Sequence, residues 1–234
     1  MLVLGVDTAT DYAVVGATAD GELVREESIG PGPDGRPRHS EVLLAEIERA
    51  VEAGGGWSKV DRIAVGIGPG SFTGLRIGIA TARALAQAQD LPLVPVGSLA
   101  ALARGISEAE SDRGLALPVF DARRSEAFAA LFDDGGEVWA PFVGAPDELA
   151  ARVRELDGTP LAAGSGALRF ARELEAAGAT VAPPEDAIHR VAARHVCTVG
   201  EAAIEAPTDQ IQPLYLRPPD AKRWRDRDRG VPGN

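Results

Sequence analysis

The patterns of apolar runs and turn residues predict the same order of elements in both halves of the chain. No other feature limits the fold as much. A short apolar run at 2–6 and the segments 12–17 and 22–28 predict three strands, the last two joined by Asp20-Gly21, a strong hairpin turn. A Pro/Gly loop over 30–37 precedes a helix that Ser40 can cap, with Leu43, Ile47, Ala50 and Val51 on one face and Gly54-Gly55-Gly56 at its end. A buried strand at 62–67, a long helix from Ser71 or Phe72 to about Gln89, a strand at 93–96 and a short helix at 98–104 complete the first half. The second half predicts strands at 115–120, 126–132 and 137–143, a helix at 147–156, a strand at 160–163, a helix at 167–176, a short strand at 180–182 and a helix at 187–206. Both halves begin β-β-β-α-β-α and add one more strand and helix, although no repeat is visible residue by residue.

Three antiparallel strands followed by α/β crossovers, twice over, predict an α/β protein of two subdomains. This is the duplicated ribonuclease-H-like architecture of the actin, hexokinase and Hsp70 (ASKHA) class. The expected division is 1–105, 106–217 and a tail at 218–234. A chain of 234 residues with 45% hydrophobic content can bury a substantial core. No apolar stretch reaches the roughly 18 residues needed to cross a bilayer, and Asp7 breaks the opening run too early for a signal-peptide core. A single cysteine, Cys197, excludes an internal disulfide and fits a reducing cytosol, so a cytoplasmic protein is expected. The net charge of −11 repels phosphate backbones, so this chain alone should bind nucleic acid poorly. Only the tail is basic, with five cations against three carboxylates.

Two turns are candidates for a nucleotide site. In actin-like folds the turn after the first strand, here Asp7-Thr8-Ala9-Thr10, holds phosphate through hydroxyls, backbone N–H groups and a metal-positioning acid. Gly164-Ser165-Gly166 lies at the matching place in the second half, where adenosine-binding glycines occur. Asp7, Thr8, Thr10, Gly164 and Gly166 would then form a degenerate site. The plainer alternatives are a hairpin whose side chains satisfy its own turn and a glycine link from strand to helix. The segment from Gly68 to Gly78, Gly-Pro-Gly-Ser-Phe-Thr-Gly-Leu-Arg-Ile-Gly, is not a phosphate-binding Walker loop, because no lysine follows a glycine. It places Gly74, Gly78, Ala82 and Ala86 four residues apart along a helix. Each mid-helix glycine costs about 1 kcal/mol against alanine, so the ridge serves close packing, against either the chain's own sheet or a partner. No metal site is expected, since His189 and His195 are six apart and Cys197 has no companion. No nucleophile with a base and no paired carboxylates can be named, so no catalytic residue is assigned.

Several segments together resemble one family. Leu4-Gly5-Val6-Asp7-Thr8-Ala9-Thr10, Arg38-His39-Ser40-Glu41, the block Val65 to Gly78, Asp121-Ala122-Arg123-Arg124-Ser125-Glu126 and Pro213-Leu214-Tyr215-Leu216-Arg217 are similar to the TsaB (YeaZ) family over about residues 1–217. The family more often has glycine where this chain has Ser125. The resemblance implies a non-catalytic subunit in the formation of threonylcarbamoyladenosine in tRNA. Its implied partners are the catalytic sister TsaD and the ATPase TsaE, with tRNA met only through the complex and a homodimer when alone. No cofactor is required, and weak ATP or ADP binding with Mg²⁺ is the most that is implied. The sister carries Asn-His-Leu-Glu-Gly-His after its long helix; here Ser98 and Leu102 fall at the two metal-binding histidine positions. Pairing through the two helices of the first half places the expected interface at His39, Leu43, Thr73, Gly74, Leu75, Arg76, Gly78, Ile79, Ala82, Arg83 and Ala86. An actin-like ATPase or phosphotransferase is the competing reading. A protease would need a nucleophile or a metal pair that the sequence does not show.

Overall fold

The computed structural model of this chain describes residues 1–109 and 114–217. The basic tail expected at 218–234 lies outside the described residues. Strand β1 (Leu2–Asp7) is buried at every position, which is why it reads as one continuous apolar run. It pairs antiparallel with β2 (Ala13–Ala19) and parallel with β4 (Val60–Gly68). Asp20 and Gly21, with φ of 50° and 81°, make the left-handed turn that folds β3 (Glu22–Ile29) back onto β2. β5 (Leu93–Gly97) closes the sheet, whose order is β3-β2-β1-β4-β5. The second sheet repeats that plan with β6 (Leu115–Asp121), β7 (Ala127–Asp133), β8 (Gly136–Gly144), β9 (Leu161–Ala163) and β10 (Thr180–Val181), in the order β10-β9-β6-β7-β8. The same strand order in both sheets establishes the duplicated fold that the sequence predicts.

Helices α1 (His39–Ala53) and α2 (Phe72–Gln89) cover one face of the first sheet, and α4 (Pro146–Arg154), α5 (Ser165–Arg169) and α6 (Ala171–Ala176) accompany the second. The remaining two helices lie between the sheets. α3 (Ser98–Ala109) packs mainly on β6 and β7, whereas α7 (Ala193–Ala202) returns to pack on β1, β2 and β4. One core therefore contains Val3, Ala64 and Val94 of the first sheet, Leu99 and Leu102 of α3, Phe120 and Phe128 of the second sheet, and Val196 and Cys197 of α7. The division expected at 105/106 falls inside α3. Arg62 of β4 fixes α7 by donating to the carbonyls of Gly200, Glu201 and Ala203 at its C-terminal end.

Three expected helices differ in detail. Ser40 does not cap α1; Arg38 takes that place, and Ser40 is the second helical residue. The helix expected at 167–176 is broken at Phe170, whose buried ring enters the core of the second half. The helix expected at 187–206 is a 3₁₀ turn (Ala187–His189) followed by α7, with Arg190 and Ala192 extended between them. His189 explains the interruption. Its Nδ1 accepts the Gly164 N–H at 3.0 Å and its Nε2 donates to the Ala182 and Pro183 carbonyls at 3.1 and 3.0 Å. The ring is thus tied to Gly164, Ala182 and Pro183, outside the expected helix, at the point where the helix is interrupted.

Candidate functional site

A cleft of about 1060 Å³ opens between the two halves. Its first-half wall is the turn Ala9–Tyr12 with the loop Gly70–Thr73, and its second-half wall is the β6–β7 turn with Ser165, Leu168 and the segment around His189. Residues 214–217 cross its mouth.

Asp7 does not face this cleft. It is 1% exposed, with one carboxylate oxygen accepting the Ala9 N–H at 2.8 Å and the other the Ser98 hydroxyl at 2.5 Å. Ser98 in turn accepts the Gly68 N–H at 3.2 Å. Burial pushes the Asp7 carboxyl above its usual range, opposed by these two hydrogen bonds. Thr8 is also buried and donates to the Gly74 carbonyl at 2.8 Å. Gly164, with φ of 114°, and Gly166 are packed against the backbone of Val119 and Phe120. Of the five residues expected at a nucleotide site, only Thr10 lines the cleft. The other four are packed within the fold, Asp7 and Thr8 bonded to Ser98 and Gly74 and the two glycines against Val119 and Phe120.

The ridge is likewise internal. A Cβ on Gly74 would lie 2.1 Å from the Thr8 carbonyl oxygen, and one on Gly78 2.2 Å from the Thr8 hydroxyl. Ala82, Ala86, Leu75, Ile79, His39 and Leu43 are each at most 3% exposed within the single chain. The expectation that these residues form the centre of a partner surface is therefore corrected: they hold α2 and α1 against the chain's own turn and sheet. Among the expected interface residues, Thr73 and Arg76 are exposed and Arg83 is half-buried.

Sequence reasoning missed the character of the β6–β7 turn. Arg123, Arg124 and Ser125 are consecutive non-glycine residues in the left-handed region, with φ of 62°, 52° and 58°. Such a conformation costs about 1–2 kcal/mol per residue. The only sequence signal was the resemblance, in which glycine more often stands at Ser125. Arg123 reaches across the cleft to Asp11 at 3.0 Å, and Arg169 forks onto both oxygens of Asp121 at 2.8 Å. Arg190 lies 5.7 Å above the Tyr12 ring. The rim thus joins arginines to carboxylates and to an aromatic face. Among the described residues no three His, Cys, Asp or Glu side chains gather as metal ligands would. Ser98 and Leu102, at 0% and 1% exposure, are enclosed in the core.

Two buried histidines give the fold a pH dependence. His39 lies against the backbone of Thr10 and Tyr12, and His195 of α7 donates from Nε2 to Glu108 of α3 at 2.9 Å. His39 Nε2 and His195 Nδ1 are buried without partners. Burial lowers both imidazoles below the usual value of 6.5, with Arg194 adding to the effect at His195. The unfolded chain then binds more protons, so this contribution to stability is full above pH 6.5 and is lost as pH falls below it. Urea unfolding between pH 7.5 and 5.0 should show the loss, and replacing both histidines with glutamine should flatten that part of the curve.

The family model described as TsaD, tRNA N6-adenosine threonylcarbamoyltransferase, matches residues 34–208. The tRNA threonylcarbamoyladenosine biosynthesis protein TsaB of Haemophilus influenzae is 26% identical over 93% of this chain and 94% of its own length. The Escherichia coli protein of the same name is 29% identical over 71% and 72%. This chain belongs to the TsaB/YeaZ family. The solved structure of YeaZ from Pseudomonas aeruginosa, another member, superposes with a TM-score of 0.72 at 25% identity, covering 92% of this chain and 99% of that one. A ROK hexokinase from Thermus thermophilus superposes with a TM-score of 0.53 at 14% identity over 86% of this chain and 98% of its own, and shares the fold alone.

Within this family member, Asp7 provides a direct test of whether the first turn holds a metal ion. Asp7→Asn keeps an acceptor for the Ala9 N–H and should leave stability within about 1 kcal/mol of the parent. Asp7→Ala strands buried donors, each costing about 1–3 kcal/mol. Urea unfolding of the two variants separates these outcomes. Calorimetric titration with ATP and Mg²⁺ should give the same weak or absent signal for Asp7→Asn and the parent.

Proposed function

We propose that this chain is the non-catalytic partner of a TsaD-type transferase in the formation of threonylcarbamoyladenosine in tRNA, with the ATPase TsaE as a third component. The names of its relatives support the process. The observation that carries the non-catalytic role is the sealing of Asp7 by Ser98. A phosphotransferase of this fold would aim that acid at a metal and phosphate, yet here it is enclosed beneath the cleft. Ser98 and Leu102 stand where the family resemblance puts the sister's metal-binding histidines, and both are committed to the core. The chain requires no cofactor of its own and binds ATP or ADP weakly at most. It works in the cytoplasm, in keeping with one free, buried cysteine. Among the described residues, no helix is long and apolar enough to cross a membrane.

The partner surface is the outward side of α1 and α2. Leu44 is 59% exposed, and Phe72, Thr73, Arg76, Ala80 and Ala84 are exposed beside it, with Ile77 half-buried. Small side chains let a second pair of helices approach closely, and Leu44 supplies an apolar anchor. The same face serves a homodimer when the partner is absent. Size-exclusion chromatography of this chain mixed with a TsaD-type subunit should show one stable complex, and the chain alone should not shift tRNA at physiological salt. Separate elution of the two proteins would contradict the proposal.

A further inference from the structure

Residues 213–217, one of the motifs that carries the family resemblance, take no part in the cleft's chemistry described above, yet they are tied to both of its walls. Just before them, Ala206 and Ile211 pack into the core of the first half. The Leu214 N–H then donates to the Ile67 carbonyl at 2.8 Å. Tyr215 stacks on Phe72 with ring centroids 5.2 Å apart and accepts from Arg76 Nε at 3.1 Å. Arg76 itself lies 3.8 Å over the Phe72 ring. These three side chains form one stack on the first turn of α2. Two residues later the chain is fastened to the other half. Leu216 packs against the core shared by the two sheets, and Arg217 donates to the Ala122 carbonyl at 3.2 Å and pairs with Glu126. Both anchors belong to the β6–β7 turn.

We infer that residues 213–217 are a strap that holds the two halves at a fixed angle and so sets the width of the cleft. The opposite side is already joined by α3 and α7, which share a core with both sheets. The mouth is therefore the side that can open. The other contacts across it are weaker. Arg123 and Asp11 are 70% and 43% exposed, and such pairs contribute little. Arg190 sits 5.7 Å from Tyr12. The strap combines a backbone hydrogen bond, an aromatic stack and an arginine anchor within four residues, which no other described segment at the mouth does.

The test uses the full chain with spin labels on cysteines placed at Ser40 and Glu185, exposed positions on opposite halves. Cys197 does not interfere, because it is buried and its thiol is pushed up to about 12. Tyr215→Ala removes the stack, and Arg217→Ala removes the second anchor while leaving the stack intact. In each variant the label–label distance should shift to longer values and broaden. Amide exchange should rise both in the first turn of α2 and in the β6–β7 turn, by about tenfold in Tyr215→Ala, which loses an aromatic pair and a hydrogen bond. Tyr215→Phe, which keeps the ring, should stay close to the parent. Circular dichroism identifies any variant that fails to fold, and Arg217→Ala, outside every core cluster, keeps the test decisive. An unchanged distance in folded Tyr215→Ala and Arg217→Ala, or exchange that rises only at 213–217, would overturn the strap.

Discussion

Replacing Gly74 or Gly78 with alanine destabilises the protein by about 3 kcal/mol or more, as overpacking against a rigid wall does. Helix propensity alone gives the opposite sign, a gain of about 1 kcal/mol for each. The wall decides. At Gly74 the added Cβ meets the Thr8 backbone carbonyl at 2.1 Å, and at Gly78 it meets the Thr8 hydroxyl at 2.2 Å. Thr8 cannot retreat, because it is 0% exposed and sits beside Asp7, whose carboxylate would itself lie 1.9 Å from a Cβ on Gly66. Moving Thr8 also breaks its bond to the Gly74 carbonyl. Gly78→Arg should not fold at all. Urea unfolding of the two alanine variants gives the answer. A gain in stability in either would show that α2 does not approach the first turn this closely.

Arginine at Leu44 or Ala80 should weaken pairing with a TsaD-type subunit by about 100-fold, while each change shifts the stability of the isolated chain by less than about 0.5 kcal/mol. Leu44 is 59% exposed and Ala80 lies on the outward side of α2, so neither side chain supports the monomer. In a helix-on-helix interface each would be enclosed, and an arginine there brings both a buried charge and a side chain too long for the gap. Isothermal titration of the folded variants, alongside their melting temperatures, separates this result from simple unfolding. Unchanged affinity in both variants would place the partner surface elsewhere. The contrast with Gly78 is the useful part: one helix carries an inward face that the fold cannot spare and an outward face that it can.

The succession of strands and helices along both halves was legible because central strands buried on two faces read as unbroken apolar runs, and the hairpin turns carry Asp-Gly. The function of the small-residue ridge was not. Spacing four residues apart is the same whether a helix meets a partner or its own chain, and the deciding residue, Thr8, is 66 positions away from Gly74. Asp7 poses the same difficulty. A short Asp-Thr-Ala-Thr turn looks alike facing a phosphate or facing inward, and Ser98, 91 residues on, settles the direction. The helix expected at 187–206 failed for a tertiary reason too. Its residues suit a helix locally, but the His189 ring holds Gly164, Ala182 and Pro183 and stops it. The left-handed turn at Arg123-Arg124-Ser125 contains no glycine to announce it.

The central claim, that this chain supports threonylcarbamoyladenosine formation without performing it, is tested most directly by reconstitution. Unmodified tRNA is incubated with threonine, bicarbonate, ATP and an enzyme that makes the threonylcarbamoyl donor, together with a TsaD-type subunit, TsaE and this chain, and the nucleosides are separated by chromatography with mass detection. The complete mixture should form the modified nucleoside, omission of this chain should abolish it, and the Asp7→Asn variant should restore it fully. Product formed by this chain without the TsaD-type subunit, or undiminished product when this chain is left out, would contradict the account.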